Sequence, residues 1–97
     1  MSTRYDKLPE HMQEAARCYI EEGEMPGSFL TAVLTNNLVE AFGNADEINR
    51  ACMWDWCLWL YNEAPMPAWG SAEKVLAWSN EQIALRLAAR VEQGVPR

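Results

Sequence analysis

Ninety-seven residues with eight bases, fourteen acids and 49% apolar side chains make one acidic domain of formal net charge −6. That size and apolar fraction exclude a disordered chain and leave room for one modest core. Asp55 and Asn62 interrupt the best apolar stretch, so no run reaches the roughly 20 residues of a membrane span, and the opening Met-Ser-Thr-Arg-Tyr-Asp-Lys leads into no signal-peptide apolar region.

In chain order, Pro9 suits a helix's first turn and Gly23 its end. Leu8, Met12, Ala15, Ala16 and Tyr19 share one stripe, with Glu10, Glu14, Arg17 and Glu21 opposite. Ser28 reads as the N-cap of a second helix from Phe29 to about Phe42, with Gly43-Asn44 closing it. Its apolar stripe is Leu30, Leu34, Leu38, Ala41 and Phe42, and Asn37 sits at the edge beside Val33. Asp46 is the expected cap of a third helix, which Pro65 should end near Ala64.

That third helix carries Trp54, Trp56 and Trp59, and Trp69 follows in the loop Pro65-Met66-Pro67-Ala68-Trp69-Gly70. At about 100° per residue the first three tryptophans point in different directions, so the segment is apolar nearly all round. It is either the central helix or a core helix whose far side meets a partner. Trp69, in a proline-stiffened loop, is expected to be the tryptophan spared for recognition. Ser71 is the next N-cap, and Ser79-Asn80-Glu81-Gln82 matches a capping box, so a break or kink is expected there before a last helix to about Gln93. No β-alternation of useful length appears. The chain reads as an all-α, compact bundle of four to five helices.

The charge is uneven. Residues 1–48 hold nine acids against three bases (3 − 9 = −6), whereas residues 49–97 hold five of each. An acidic half disfavours duplex nucleic acid, whose phosphates require Lys and Arg. It suits either a solvated face or attraction to a basic protein surface. The partner contacts it offers are Glu10, Glu14, Glu21, Glu22 and Glu24.

Signals for chemistry are weak. Ser28 and Ser71 lack a nucleophile-elbow pattern, and His11 is the sole histidine. Cys18, Cys52 and Cys57 show no metal-ligand spacing, so no metal and no cofactor is expected, and the thiols read as reduced, in a cytoplasmic protein. A non-enzymatic protein is expected.

Binding signals are better. Ile48, Asp55 and Asn62 are spaced by seven, with Trp59 and Cys52 adjacent. A carboxylate on so apolar a helix needs a partner; a bond to a helix cap or to Arg50 is the structural reading. The functional one is an aromatic pocket holding a small nucleotide-type ligand, built from Asp55, Trp59, Asn62, Asn37, Trp69 and the Ser28 helix start. Ile83, Leu87 and Val91 form a tail stripe that either completes the core or forms an oligomer contact.

The runs Pro26-Gly27-Ser28-Phe29-Leu30-Thr31-Ala32-Val33-Leu34 and Asn37-Leu38-Val39-Glu40-Ala41-Phe42, with Tyr61-Asn62-Glu63-Ala64-Pro65 and Trp69-Gly70-Ser71, carry a resemblance. They resemble a family of small proteins encoded by phages and prophages of proteobacteria, over about residues 8–78. That family carries no established activity, so the resemblance transfers no functional residue. It implies a context: an accessory protein in the cytoplasm of an infected or lysogenic host, where inhibition of a host or defence protein is a common task. It also sets the expected organisation, a single helical domain over 1–97 with an N-terminal arm (1–7), a core (8–78) and a C-terminal helical extension (79–97). The leading expectation is binding of a host protein with a basic surface. The alternatives are a nucleotide-type ligand sponge and an assembly role through the C-terminal helix.

Overall fold

A computed structural model describes residues 3–92. Among them the chain is all-α, with six helices in order: α1 Glu10–Arg17, α2 Ser28–Leu34, α3 Leu38–Asn44, α4 Glu47–Ala51, α5 Met53–Asn62 and α6 Ala72–Glu92. A π turn, Cys18–Glu22, continues α1, and a 3₁₀ turn, Met66–Ala68, precedes α6.

The first helix follows its sequence signals. Pro9 stands at its N-cap, Glu10 in its first turn and Arg17 in its last, the charge order a helix dipole favours. The chain then widens into the π turn and stops at Gly23, where φ is +79°. Glycine is required there twice over. The left-handed backbone disfavours any other residue, and a Cβ would come 2.5 Å from the Ser79 carbonyl oxygen.

That close approach locks the π turn onto α6. The Ser79 hydroxyl donates to the Gly23 carbonyl, Trp78 Nε1 donates to the Ile20 carbonyl at 3.1 Å, and the buried Tyr19 hydroxyl donates to the Ala68 carbonyl at 2.6 Å. The break expected at Ser79 therefore does not form. Its hydroxyl serves a neighbouring carbonyl instead of a helix cap, and α6 runs on through 21 residues. Ser71 does cap α6, accepting the Lys74 N–H at 3.2 Å.

The expected second helix is two helices. Gly27, not Ser28, occupies the N-cap of α2. Its C-terminus is closed by the Thr35 hydroxyl on the Thr31 carbonyl and by the Gly70 N–H on the Leu34 carbonyl at 2.7 Å. Asn36 then takes a left-handed φ of 64°, which asparagine tolerates better than most residues. Asn37 restarts the helix by accepting the Glu40 N–H. The turn resets the phase of the stripe: Ala41 stays buried, but Leu38 and Phe42 emerge into solvent.

The expected third helix also divides. Asp46 caps α4 as anticipated, accepting the Asn49 N–H at 2.7 Å, and its other oxygen meets His11 Nε2 at 2.9 Å. Cys52 departs from helical geometry (φ −107°, ψ 19°), and α5 begins after it. The core is aromatic. Trp56 and Trp59 meet edge to face at 5.9 Å, and Phe29 meets Trp56 edge-on at 5.4 Å, arrangements worth about 1 kcal/mol each beyond the area they bury.

Candidate functional site

The tryptophans divide sharply by position on α5. Met53, Trp56, Trp59 and Leu60 face inward or lie half-buried, whereas Trp54, Leu58 and Tyr61 are exposed. Trp56 is 0% exposed, and its Nε1 donates at 3.2 Å to Asn49, itself 2% exposed. Trp59 Nε1 donates to the Arg4 carbonyl at 2.7 Å, while Tyr5 covers the ring at 6.1 Å. Trp54, two residues before Trp56, is 75% exposed, and Tyr61 is 82% exposed. The steps of three and four from Trp54 to Leu58 to Tyr61 put them on one helix face.

On the neighbouring line of α5, Met53, Cys57 and Leu60 lie across from Leu38 and Ala41 of α3. A shallow apolar depression of about 60 Å³ separates the two helices. Its lining includes Leu38 and Ala41 from α3, Met53, Cys57 and Leu60 from α5, and Val33 between them. Leu38, Val39 and Phe42 stand exposed on the α3 side. The volume is far below the 300–1,000 Å³ that holds a small-molecule ligand. The depression is sized for a single side chain, and exposed large apolar residues cluster on both helices that line it.

The residues singled out from sequence are not gathered into one pocket. Ser28 and Asn37 line an open polar cleft of about 520 Å³ with Pro26, Thr31, Thr35, Glu40 and Asn44. Neither this cleft nor the apolar depression is lined by Asp55, Trp59, Asn62 or Trp69. Within the polar cleft Thr31 donates to the Pro26 carbonyl, and Asn44 donates to the Glu40 carbonyl. Trp59 has its indole N–H and one ring face engaged by the N-terminal segment. Asn62 is exposed at the end of α5.

Two expectations are corrected here. Trp69 is not the tryptophan spared for recognition: it packs half-buried against the core, and its Nε1 is buried without a hydrogen-bond partner. The bond from Gly70 to Leu34 ties that loop to α2 and turns the ring inward with it. Asp55 bonds neither a cap nor Arg50. It lies half-buried in the first turn of α5, without a side-chain hydrogen bond or ion pair among the described residues. Ile48 is on α4 and Asp55 on α5, with the irregular Cys52 between them.

The acidic residues also sort in two. Arg17 binds Glu14 at 2.7 Å, Glu21 at 3.4 Å and Glu22 at 3.3 Å, and Arg86 reaches Glu22 at 3.8 Å. Its hydrogen bond to Arg17 holds Glu14 below the usual carboxylate range. Tyr5 donates to Glu21 at 3.0 Å, and burial pushes its phenol well up. Of the five expected contacts, only Glu10 and Glu24 have no ion pair among the described residues.

The C-terminal stripe divides as well. Ile83 is half-buried, near Gly23. Leu87 is exposed, and the Val91 side chain lies outside the described residues. Among those residues, no group of three or more His, Cys, Asp and Glu side chains could hold a metal ion. Among the described residues no helix is long and apolar enough to cross a membrane.

Comparison with known proteins adds no relative: no protein-family model, curated protein or solved structure matches the chain.

Proposed function

We propose that this chain is a non-enzymatic binding protein that acts by covering the surface of a host protein, with the exposed face of α5 as its recognition surface. The observation that carries the reading is the contrast on one helix: Trp56 is fully buried and Trp54, two residues away, is 75% exposed beside Leu58 and Tyr61. Burying a large apolar side chain contributes roughly 1.5–3 kcal/mol, and aromatic anchors dominate many protein interfaces. A domain that leaves this much apolar surface on one face gains by docking it. The phage-family resemblance supplies the host context, and inhibition by occlusion is what a small protein without catalytic groups can deliver.

Protein rather than nucleotide is the favoured partner, because the depression beside the aromatic face holds only about 60 Å³ and the larger polar cleft has no aromatic side chain in its lining to stack a base. The indoles of Trp59 and Trp69 are packed into the fold, not aligned for stacking. The test is affinity capture from host lysate with wild-type chain and with Trp54→Ala/Tyr61→Ala. A host protein retained by the first and lost by the second supports the reading. Equal capture by both, or thermal stabilisation by a nucleotide panel that grows with concentration, contradicts it.

A further inference from the structure

The charges around the open face identify the chemistry of what binds there; the inference rests on the proposed binding function. Residues 38–63, which span α3, α4 and α5, hold five acids (Glu40, Asp46, Glu47, Asp55, Glu63) and one base, Arg50, so their balance is 1 − 5 = −4. The glutamates of the π-turn side are held by Arg17 and Arg86. On this side Glu47 and Asp55 have no ion pair among the described residues, whereas Glu40 lines the polar cleft on the other face of α3. Asp46 is engaged by His11 and its own helix, and Glu63 lies close enough to Arg4 to favour that side chain's charge. The open face is thus an apolar strip in an acidic frame.

We infer that this face takes a basic amphipathic helix of a partner protein, its apolar stripe against Trp54, Leu58 and Tyr61 and its Lys and Arg side chains against Glu47 and Asp55. Two exposed ridges, Leu38 with Phe42 on α3 and Trp54 with Leu58 and Tyr61 on α5, flank the depression lined by Met53, Cys57 and Leu60. A groove between two apolar ridges suits a helix that presents anchors at every third or fourth position. A second copy is the wrong occupant, since it would bring −4 against −4 in the same frame. An anionic lipid surface is disfavoured by the same charge.

Three synthetic probes test this with the full chain. One is an 18-residue amphipathic helical peptide with Leu along one stripe and Lys elsewhere. The second carries Glu in place of every Lys, and the third has the Lys peptide's composition with the stripe scrambled. Calorimetry should show 1:1 binding of the first alone, weakening as salt screens the charge. Trp54→Ala and the pair Glu47→Lys/Asp55→Lys should each weaken it at least tenfold. The change Glu24→Lys, beside the π turn that packs on α6, should alter it less than twofold.

A second readout needs no variant. Cys57 is exposed and lines the groove, whereas Cys18 and Cys52 are half-buried, so the Lys peptide should slow alkylation of Cys57 several-fold. Binding that ignores Trp54, survives the Glu47/Asp55 reversal or leaves Cys57 alkylation unchanged overturns the inference. Trp54-dependent binding of the Glu peptide overturns the charge assignment while leaving the proposed docking function intact. Failure of all three peptides to bind, with Trp54→Ala also without effect on host-protein capture, removes both.

Discussion

Two sides of this small bundle solve the same problem in opposite ways. Where the π turn meets α6, the buried Tyr19, the half-buried Trp78 and the buried Ser79 donate hydrogen bonds to backbone carbonyls. Arg17 neutralises the glutamates outside them. Where α3 meets α5, aromatic and aliphatic side chains stand in solvent, and Glu47 and Asp55 have no ion pair among the described residues. A closed side spends its polar groups on the fold, and an open side keeps them available. The difference teaches that in a tryptophan-rich domain the number of tryptophans says little; packing against the core separates Trp56, Trp59 and Trp69 from the exposed Trp54.

The sharpest way to break this comparison is to truncate one tryptophan from each class. Trp56→Ala should cost about 4 kcal/mol of unfolding free energy, since it opens a cavity and strips Asn49 of its partner. Trp54→Ala should change stability by about 0.5 kcal/mol or less, because its side chain is 75% exposed. Urea denaturation of both variants measures the contrast, and comparable losses would place Trp54 in the core.

Gly23→Ala comes next. The left-handed φ and the 2.5 Å approach to the Ser79 oxygen should together cost about 3 kcal/mol, read as a lower urea midpoint with an unchanged slope. An equivalent change on the open side, such as Gly43→Ala, meets no atom within 4 Å and should be neutral or mildly stabilising. Smaller again is the pair Tyr19→Phe and Tyr61→Phe. The first orphans the Ala68 carbonyl and should cost about 1.5 kcal/mol; the second should leave the melting temperature unchanged.

How far this was legible in the sequence follows from the range of the interactions. Pro9, Gly23, Asp46 and Ser71 mark helix ends through local backbone chemistry, so they could be read from their neighbours. The core stripe of α1 could be read for the same reason. The break at Asn36–Asn37 was signalled by two adjacent asparagines, residues that tolerate a left-handed turn, but the apolar periodicity running through them masked it. Ser79 shows the opposite failure: a good local capping pattern was overridden by Gly23, 56 residues away. The fate of each tryptophan could not be read, because the irregular residue at Cys52 sets the rotation of α5. That rotation puts Trp54 outside, and Trp69 packs inward beside the long-range bond from Gly70 to Leu34, which no neighbouring residue signals.

The smallest expected effect concerns acid. Asp46 is held below the usual carboxylate range by the Asn49 amide and by His11. A depressed carboxylate contributes stability that is present above its unfolded pKa, about 4, and is lost as pH falls through the folded value. Asp46→Asn should therefore show a shallower fall in melting temperature than the wild type as pH drops below about 4. Identical acid slopes would mean the α1–α4 link contributes nothing.

The most direct measurement of the central claim is amide hydrogen exchange of the intact chain with and without the Lys-rich amphipathic peptide. The account predicts new protection confined to segments 38–42 and 53–61, with residues 10–24 unchanged. Protection that falls on residues 10–24 instead, leaving α5 as it was, would contradict it.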